Sequence, residues 1–289
     1  MEVEKLKPVW NVAKVALTAL ILWLVFRHLN LRLLAGQLNR LDVLTLLLLF
    51  ITTLFKFGTD SLNWLWCLRL DPSVSISWPE AMRTHTIGMA LRFAAPGGAA
   101  TLGKVFFVNN RPAMAVLAVG VERFLIFWTS ILYAVLGGVL YFSTLSLTLR
   151  LGVLAAVLAA PLVAWLVWRL AHRGSALPGR YLAMLPRVLL MRSIFILLTC
   201  LQYWLILRRM GGLPFAQALI SVPVILSANN IPVTVAGLGL RETFAVNLLA
   251  RYGLPPEAAV TASLTVFVFN GVLPALPGLV FMLLHKKRG

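Results

Sequence analysis

The chain has 289 residues, is 60% hydrophobic and only 12% charged, and carries 26 Lys and Arg against 9 Asp and Glu, a formal net charge of +17. A soluble domain is about half apolar and about a quarter charged, so this composition excludes an ordinary soluble fold and fits an all-α polytopic membrane protein. The basic excess falls in loops between apolar runs, where it orients a membrane protein and attracts anionic headgroups, so no nucleic-acid partner is expected.

Six spans are predicted in chain order, at about 9–27, 42–68, 112–142, 147–169, 187–208 and 257–284, near the roughly 20 apolar residues that cross a bilayer. The first run, Val9 to Phe26, ends in Arg27-His28 with no small-residue cleavage site, and so reads as a span rather than a secretory signal. After it, "NLRLLAGQLNRLD" has leucines at helical spacing with arginines off that face, the pattern of a helix lying in the interface. The third span is long, and its start, "RPAMAVLAVG", is read as a second interfacial helix.

Two segments do not fit as simple spans: about 79–111 and about 212–252. Each has an apolar arm, a break rich in Pro and Gly, and a second arm, with neither arm long enough to cross. Both are predicted to be re-entrant hairpins, since irregular backbone at membrane depth survives only when buried in protein or lining a wet cavity. The breaks share a register, with Pro96 and Pro232 each followed seven residues later by Gly103 and Gly239. Basic loops at 69–83 and 169–187 and the tail "HKKRG" place one side, and both termini, in the cytoplasm of a cell membrane. Arg208-Arg209 then falls outside, against that assignment. Span, hairpin, span occurs twice with opposite orientation, so one membrane domain, 1–289, divides into halves 1–146 and 147–289 as an inverted repeat. In transporters of that plan the site lies at mid-membrane between the repeats.

Charges inside apolar segments are the candidate site residues, because each costs roughly 2.5–3.5 kcal/mol to insert at the helix centre and faces a cavity or a partner. Foremost are Arg241 and Glu242, in "NNIPVTVAGLGLRE". Adjacent helix positions do not face each other, so different partners are expected. Arg241 either binds an anion, with Glu242 orienting it or coupling protons, or the two serve structural ion pairs. Gly237 and Gly239 permit close backbone approach, and a helix starting near Leu240 would aim free N–H groups at a phosphate. Otherwise the glycines serve only the turn.

The first hairpin offers Arg92, Gly97, Gly98, Gly103 and Lys104 with no acid near its tip. It is either a headgroup site or a place where long side chains snorkel. In the third span Glu122 and Arg123 are candidates to line a cavity. In the second span Lys56 and Asp60 stand one turn apart and favour a self-neutralising pair. Asn229, Asn230 and Asn270 either complete a polar lining or cap broken helices. The four histidines, His28, His85, His172 and His285, are scattered, with His85 read as interfacial. Cys67 and Cys200 show no metal spacing. No catalytic constellation, metal site or cofactor motif is found.

The stretch "IPVTVAGLGLRETFAVNLLARYGLPPEAAV" resembles the "P-x-x-x-G-G-x-G-x-R-E … G-x-P-P-E" signature of the lysylphosphatidylglycerol synthase transmembrane, flippase-like, family. The residues that carry it are Pro232, Gly237, Gly239, Arg241, Glu242, Gly253, Pro255, Pro256 and Glu257. "MALRFAAPGGAATLGK" followed by "VERFLIF" is similar to the family's first half, with its Glu-Arg pair at Glu122-Arg123. The resemblance implies a membrane domain that moves lipids between leaflets. Two departures stand out: Lys104 occupies a position usually acidic in the family, and residues 258–284 lack the Arg often found there. No soluble C-terminal domain is present, so aminoacyl transfer is not expected.

The expected function is therefore movement of an anionic phospholipid or polyprenyl-phosphate-linked lipid between leaflets through a polar cavity. The rivals are a carrier of a small soluble anion, a membrane-embedded lipid-modifying enzyme, and a scaffold subunit.

Overall fold

The computed structural model describes residues 41–94, 96–141, 145–172, 174–231 and 237–284, with Pro96–Ala99 described by backbone alone. The predicted span at 9–27, the interfacial helix after it and the basic tail lie outside these residues. In chain order the elements are α1 (Val43–Leu68), α2 (Trp78–Leu91), a 3₁₀ segment (Pro96–Phe107), α3 (Pro112–Tyr141), α4 (Leu147–Ala171), α5 (Leu177–Gly211), α6 (Phe215–Ser227), a single 3₁₀ turn (Ala228–Asn230), α7 (Leu240–Ala250), α8 (Pro256–Phe267), a π turn (Val268–Val272) and α9 (Leu273–Leu284). No strand occurs among the described residues. Five helical runs, α1, α3, α4, α5 and the continuous Pro256–Leu284, are long and apolar enough to cross a membrane. The chain is an all-α polytopic membrane protein.

Local chemistry sets most boundaries. Asp42 accepts the Thr45 N–H at 3.1 Å and starts α1, while Ser77 and Ser146 cap α2 and α4 in the same way. Gly212, at φ 71°, ends α5 in the left-handed region that a Cβ disfavours. Two boundaries differ from expectation. α5 starts at Leu177 rather than 187, so most of the predicted basic loop 169–187 is helical. Pro178 sits in its first turn, where the missing N–H costs nothing. Residues 112–141 form one helix of 30 residues, without a separate interfacial piece, since no proline follows Pro112 within it.

α2 and the first 3₁₀ segment make a hairpin closed at its mouth, where the Asn109 N–H donates to Glu80 Oε1 at 3.3 Å. α6 and α7 make a second, whose mouth is closed by Leu254 packed against Gly211 so tightly that a Cβ there would lie 2.2 Å from Leu254 Cδ2. The two mouths lie at opposite ends of α3. Arg111, before its first residue, bonds Asp71 beside the first mouth. Tyr141, its last residue, donates its hydroxyl to the Leu248 carbonyl at 3.0 Å beside the second.

Helix packing is reciprocal. α1 packs on α5, α3 on α6, and α9 on α2, so the span after each hairpin lies against the first arm of the other. Both crossings need glycine: a Cβ on Gly137 of α3 would sit 2.3 Å from the Ile220 carbonyl oxygen of α6, and one on Gly278 of α9 would sit 2.1 Å from the Thr86 carbonyl oxygen of α2. α4 is peripheral, with Pro161 its only buried residue, and turns leucines and valines outward as a lipid-facing helix does.

Candidate functional site

The inner ends of the hairpin arms, at Arg92, Thr101 and Lys104 and at Asn229, Asn230 and Arg241, line a cavity of about 230 Å³, walled by the middle turns of α1, α3, α5 and the α8–α9 run. That is below the roughly 300–1,000 Å³ of sites that enclose drug-sized ligands, so it suits a compact polar group. Six cationic side chains line it, Lys56, Arg92, Lys104, Arg123, Arg192 and Arg241, against two carboxylates among the described residues, Asp60 and Glu122.

Three carboxylates hold three of these cations. Lys104, brought inward by the first hairpin, forms a short ion pair with Glu122 of α3 and lies over the Trp64 ring, 3.5 Å from its centroid. Arg192 of α5 bonds Asp60 of α1 at 2.8 Å. Arg241 bonds Glu242 at 2.8 Å, and Ser263 of α8 accepts from Arg241 Nε at 2.8 Å while donating to Glu242 at 2.7 Å. Glu242 also accepts the Gly239 N–H at 2.6 Å, fastening the first turn of α7. Buried full charges are costly unless paired, and these pairs make the lining tolerable.

Lys56 and Arg92 stand outside those pairs. Lys56 donates to Gln202 Oε1 at 3.1 Å and lies 4.3 Å from the Phe195 ring centroid, with Arg192 4.5 Å from the same ring. Gln202, fully buried, also accepts from Asn270 Nδ2 at 2.7 Å and donates to Thr52 at 3.0 Å. Asn270 belongs to the π turn, where the extra residue per turn swings its amide toward the cavity. Asn230, at the second tip, donates to Ser130 of α3 at 2.9 Å.

The cavity thus brings together Arg92, Lys104, Glu122, Arg123, Lys56, Asp60, Asn229, Asn230, Asn270 and Arg241, with Glu242 behind Arg241. Gly237 packs against Asn229 at φ 80°, and Gly239, at φ 87°, is exposed at the start of α7; neither lines the cavity. Gly97 and Gly98 lie in the first turn of the 3₁₀ segment. Three pairings differ from expectation. Lys56 and Asp60 do not neutralise each other, because Arg192 reaches Asp60 first. Arg241 and Glu242 do meet, since Arg241 is long enough to bend back and Ser263 fixes both. The Gly239 N–H is not free for a phosphate but is taken by Glu242. His85 is not interfacial: it is 8% exposed, lines the cavity and stacks near Phe57.

Arg192 and Gln202 are the site residues that the sequence reading missed. Each is a lone polar residue in an apolar run, which was the signal to follow. Ser130 and Ser263 carry no such signal. Outside the spans, Asp71 anchors the loop after α1. Burial works to raise its carboxyl, but hydrogen bonds from Arg111 and Ser73 outweigh that and hold it down at about 2.

The sequence model of the family described as "Lysylphosphatidylglycerol synthase TM region" matches residues 11–278. No curated protein matches the chain.

Proposed function

Because the chain belongs to the lysylphosphatidylglycerol synthase transmembrane family, we propose that it moves an anionic lipid, or the headgroup of a polyprenyl-phosphate-linked lipid, between the leaflets of the cell membrane. The observation that carries this reading is the cationic cavity at the middle of the helices, lined by arms of two hairpins whose mouths face opposite ends. In this reading both hairpins are re-entrant and the halves 1–146 and 147–289 are inverted repeats. The reciprocal packing of α3 on α6 and α9 on α2 supports it. A headgroup occupies the cavity while its tails stay in hydrocarbon, and rocking of one half against the other exposes the cavity to each side in turn. Arginine suits this task because its fork binds phosphate oxygens in pairs.

We place the mouth of the first hairpin, and both termini, in the cytoplasm, by the basic residues Arg69, Arg83, Arg169 and Arg180 near that end. Arginines at the opposite end have protein partners: Arg209 bonds Asp42 at 2.8 Å, and Arg150 and Arg251 bond the carbonyls of Val139 and Tyr141. They are therefore spent on structure rather than on orientation.

The test is a leaflet-exchange assay in vesicles holding the purified chain, with labelled anionic phospholipids and polyprenyl phosphates. The parent is expected to move at least one of them, and Arg241→Ala and Glu242→Gln to slow that movement at least tenfold. Movement unchanged in both variants would remove the cavity from the mechanism. Uptake of a soluble anion with no lipid exchange would replace the lipid reading with an anion carrier, and covalently altered lipid would make it an enzyme.

A further inference from the structure

The charge balance of the cavity points to a particular headgroup. The carboxylates Asp60, Glu122 and Glu242 each hold one cation, namely Arg192, Lys104 and Arg241. Of the other three lining cations, Arg123 of α3 makes an interaction of its own within the protein, and Lys56 and Arg92 face the cavity without a carboxylate contact. Lys56 has only the neutral Gln202 oxygen and a ring face, shared with Arg192. Of the two cations on that ring only Arg192 holds a carboxylate, Asp60, so Lys56 lacks a direct counter-charge.

A second observation comes from neutral groups. His85 and Thr101 are 8% and 6% exposed and line the same cavity; neither imidazole nitrogen nor the hydroxyl is hydrogen-bonded to protein, and His85 Nδ1 has only Glu122 at 3.9 Å, beyond hydrogen-bond distance. Buried polar groups are nearly always partnered, so these unfilled bonding positions mark where a polar ligand sits. They come from α2 and the 3₁₀ segment, on the same hairpin as Arg92.

We infer that the cavity is built for a phosphate group carrying two negative charges, a phosphomonoester or a diphosphate, rather than for the singly charged phosphodiester of an ordinary phospholipid. Two charges match Lys56 and Arg92, and a terminal phosphate offers three oxygens to the remaining donors, where a diester offers two. A diester would leave one buried cation uncompensated. This inference rests on the proposed site but not on the lipid tails, since a lipid phosphomonoester and free inorganic phosphate or pyrophosphate present the same chemistry.

The experiment measures binding to the full chain in lipid nanodiscs of neutral lipid. The probes are phosphatidic acid, a polyprenyl monophosphate, phosphatidylglycerol, inorganic phosphate and pyrophosphate. Expected is at least tenfold tighter binding of the two lipid phosphomonoesters than of phosphatidylglycerol. Arg92→Gln and Lys56→Gln should each cut that preference at least threefold, with Arg92→Lys restoring part of it. Thermal unfolding without ligand identifies any variant that has lost its fold, and the probe series on the parent chain decides the question by itself. Equal binding of phosphatidylglycerol and phosphatidic acid would overturn the inference while leaving lipid movement standing. Tight binding of pyrophosphate or phosphate with none of the lipids would uphold the doubly charged ligand and overturn the lipid reading instead.

Discussion

Lys104 and Glu122 form a buried ion pair between the returning arm of the first hairpin and α3, with side chains 1% and 4% exposed. The pair fixes the hairpin at mid-depth. It also explains how a buried lysine is tolerated there: the charge of Glu122 lies within reach. Removing one partner leaves the other charge buried, a loss of about 3–5 kcal/mol, whereas replacing both with apolar residues is often close to neutral. Glu122→Gln is therefore expected to lower the unfolding temperature sharply in detergent. The double variant Lys104→Met with Glu122→Leu should recover most of the loss. Equal stability of the single variant and the parent would show that the pair does not hold the hairpin.

Glu242 uses both carboxylate oxygens, one for the Gly239 N–H and the other for Arg241 and Ser263. Glutamine has one acceptor oxygen, so Glu242→Gln must abandon either the helix start or the arginine. The bonds of Ser263 are also to charged groups, at about 1.5–3 kcal/mol each, but only the glutamine change removes the counter-charge of the buried Arg241. Glu242→Gln should thus destabilise more than Ser263→Ala, which leaves the ion pair in place. Chemical denaturation of the two variants side by side checks the order.

How much of this was legible beforehand depended on the kind of signal. The apolar runs gave the helices, because lipid demands long unbroken hydrophobic segments, and the Pro-Gly breaks fall between the short arms, where α2 gives way to the 3₁₀ segment and between α6 and α7. Lone charges gave most of the cavity. The partners of those charges were not legible. Spacing along one helix favoured Lys56 with Asp60, but Arg192, 132 residues away from Asp60, took that carboxylate. Neither the π turn at Asn270 nor the start of α5 at Leu177 follows from apolar patterning. A π turn depends on tertiary packing, and "LPGRYLAMLPR" reads as part of a basic loop, while its tyrosine packs against Trp168.

The two close crossings make a prediction about glycine. Gly137→Ala and Gly278→Ala place a methyl 2.3 and 2.1 Å from backbone carbonyl oxygens of α6 and α2. Backbone cannot swing aside as a side-chain tip can, so the helices must separate along buried contacts. Each variant is expected to lose stability by about 1–3 kcal/mol, the usual range for overpacking. Gly58→Ala and Gly120→Ala, with nothing within 4 Å of the new methyl, should be neutral or gain up to about 1 kcal/mol from helix propensity. Parallel melting curves test both directions.

Asp71 gives a pH dependence outside the spans. Its carboxyl ionises at about 2 in the folded chain, below the ordinary value of 3.8. A depressed carboxylate stabilises fully above its unfolded value and loses that contribution as pH falls through the folded one. The link from Asp71 to Arg111 should therefore hold above about pH 4 and weaken between pH 4 and 2. Asp71→Asn removes that part of the acid sensitivity, which unfolding at a series of pH values detects. An unchanged pH profile would place the Asp71 carboxyl at its ordinary value.

The last prediction concerns a proline that α4 tolerates. Pro161 has no N–H, so the carbonyl of Val157, one turn earlier, lacks its helical donor. The Trp128 indole of α3 supplies it, donating to that oxygen at 2.7 Å. The proline and the tryptophan are thus coupled across two helices. Trp128→Phe should leave a part-buried carbonyl in an apolar span without a donor and cost about 1–3 kcal/mol. Pro161→Ala restores the N–H within α4, so the same Trp128→Phe change should cost less in that background. A double-mutant cycle by thermal or chemical unfolding measures the difference, and equal costs in the two backgrounds would show that the indole fills space without replacing the missing bond.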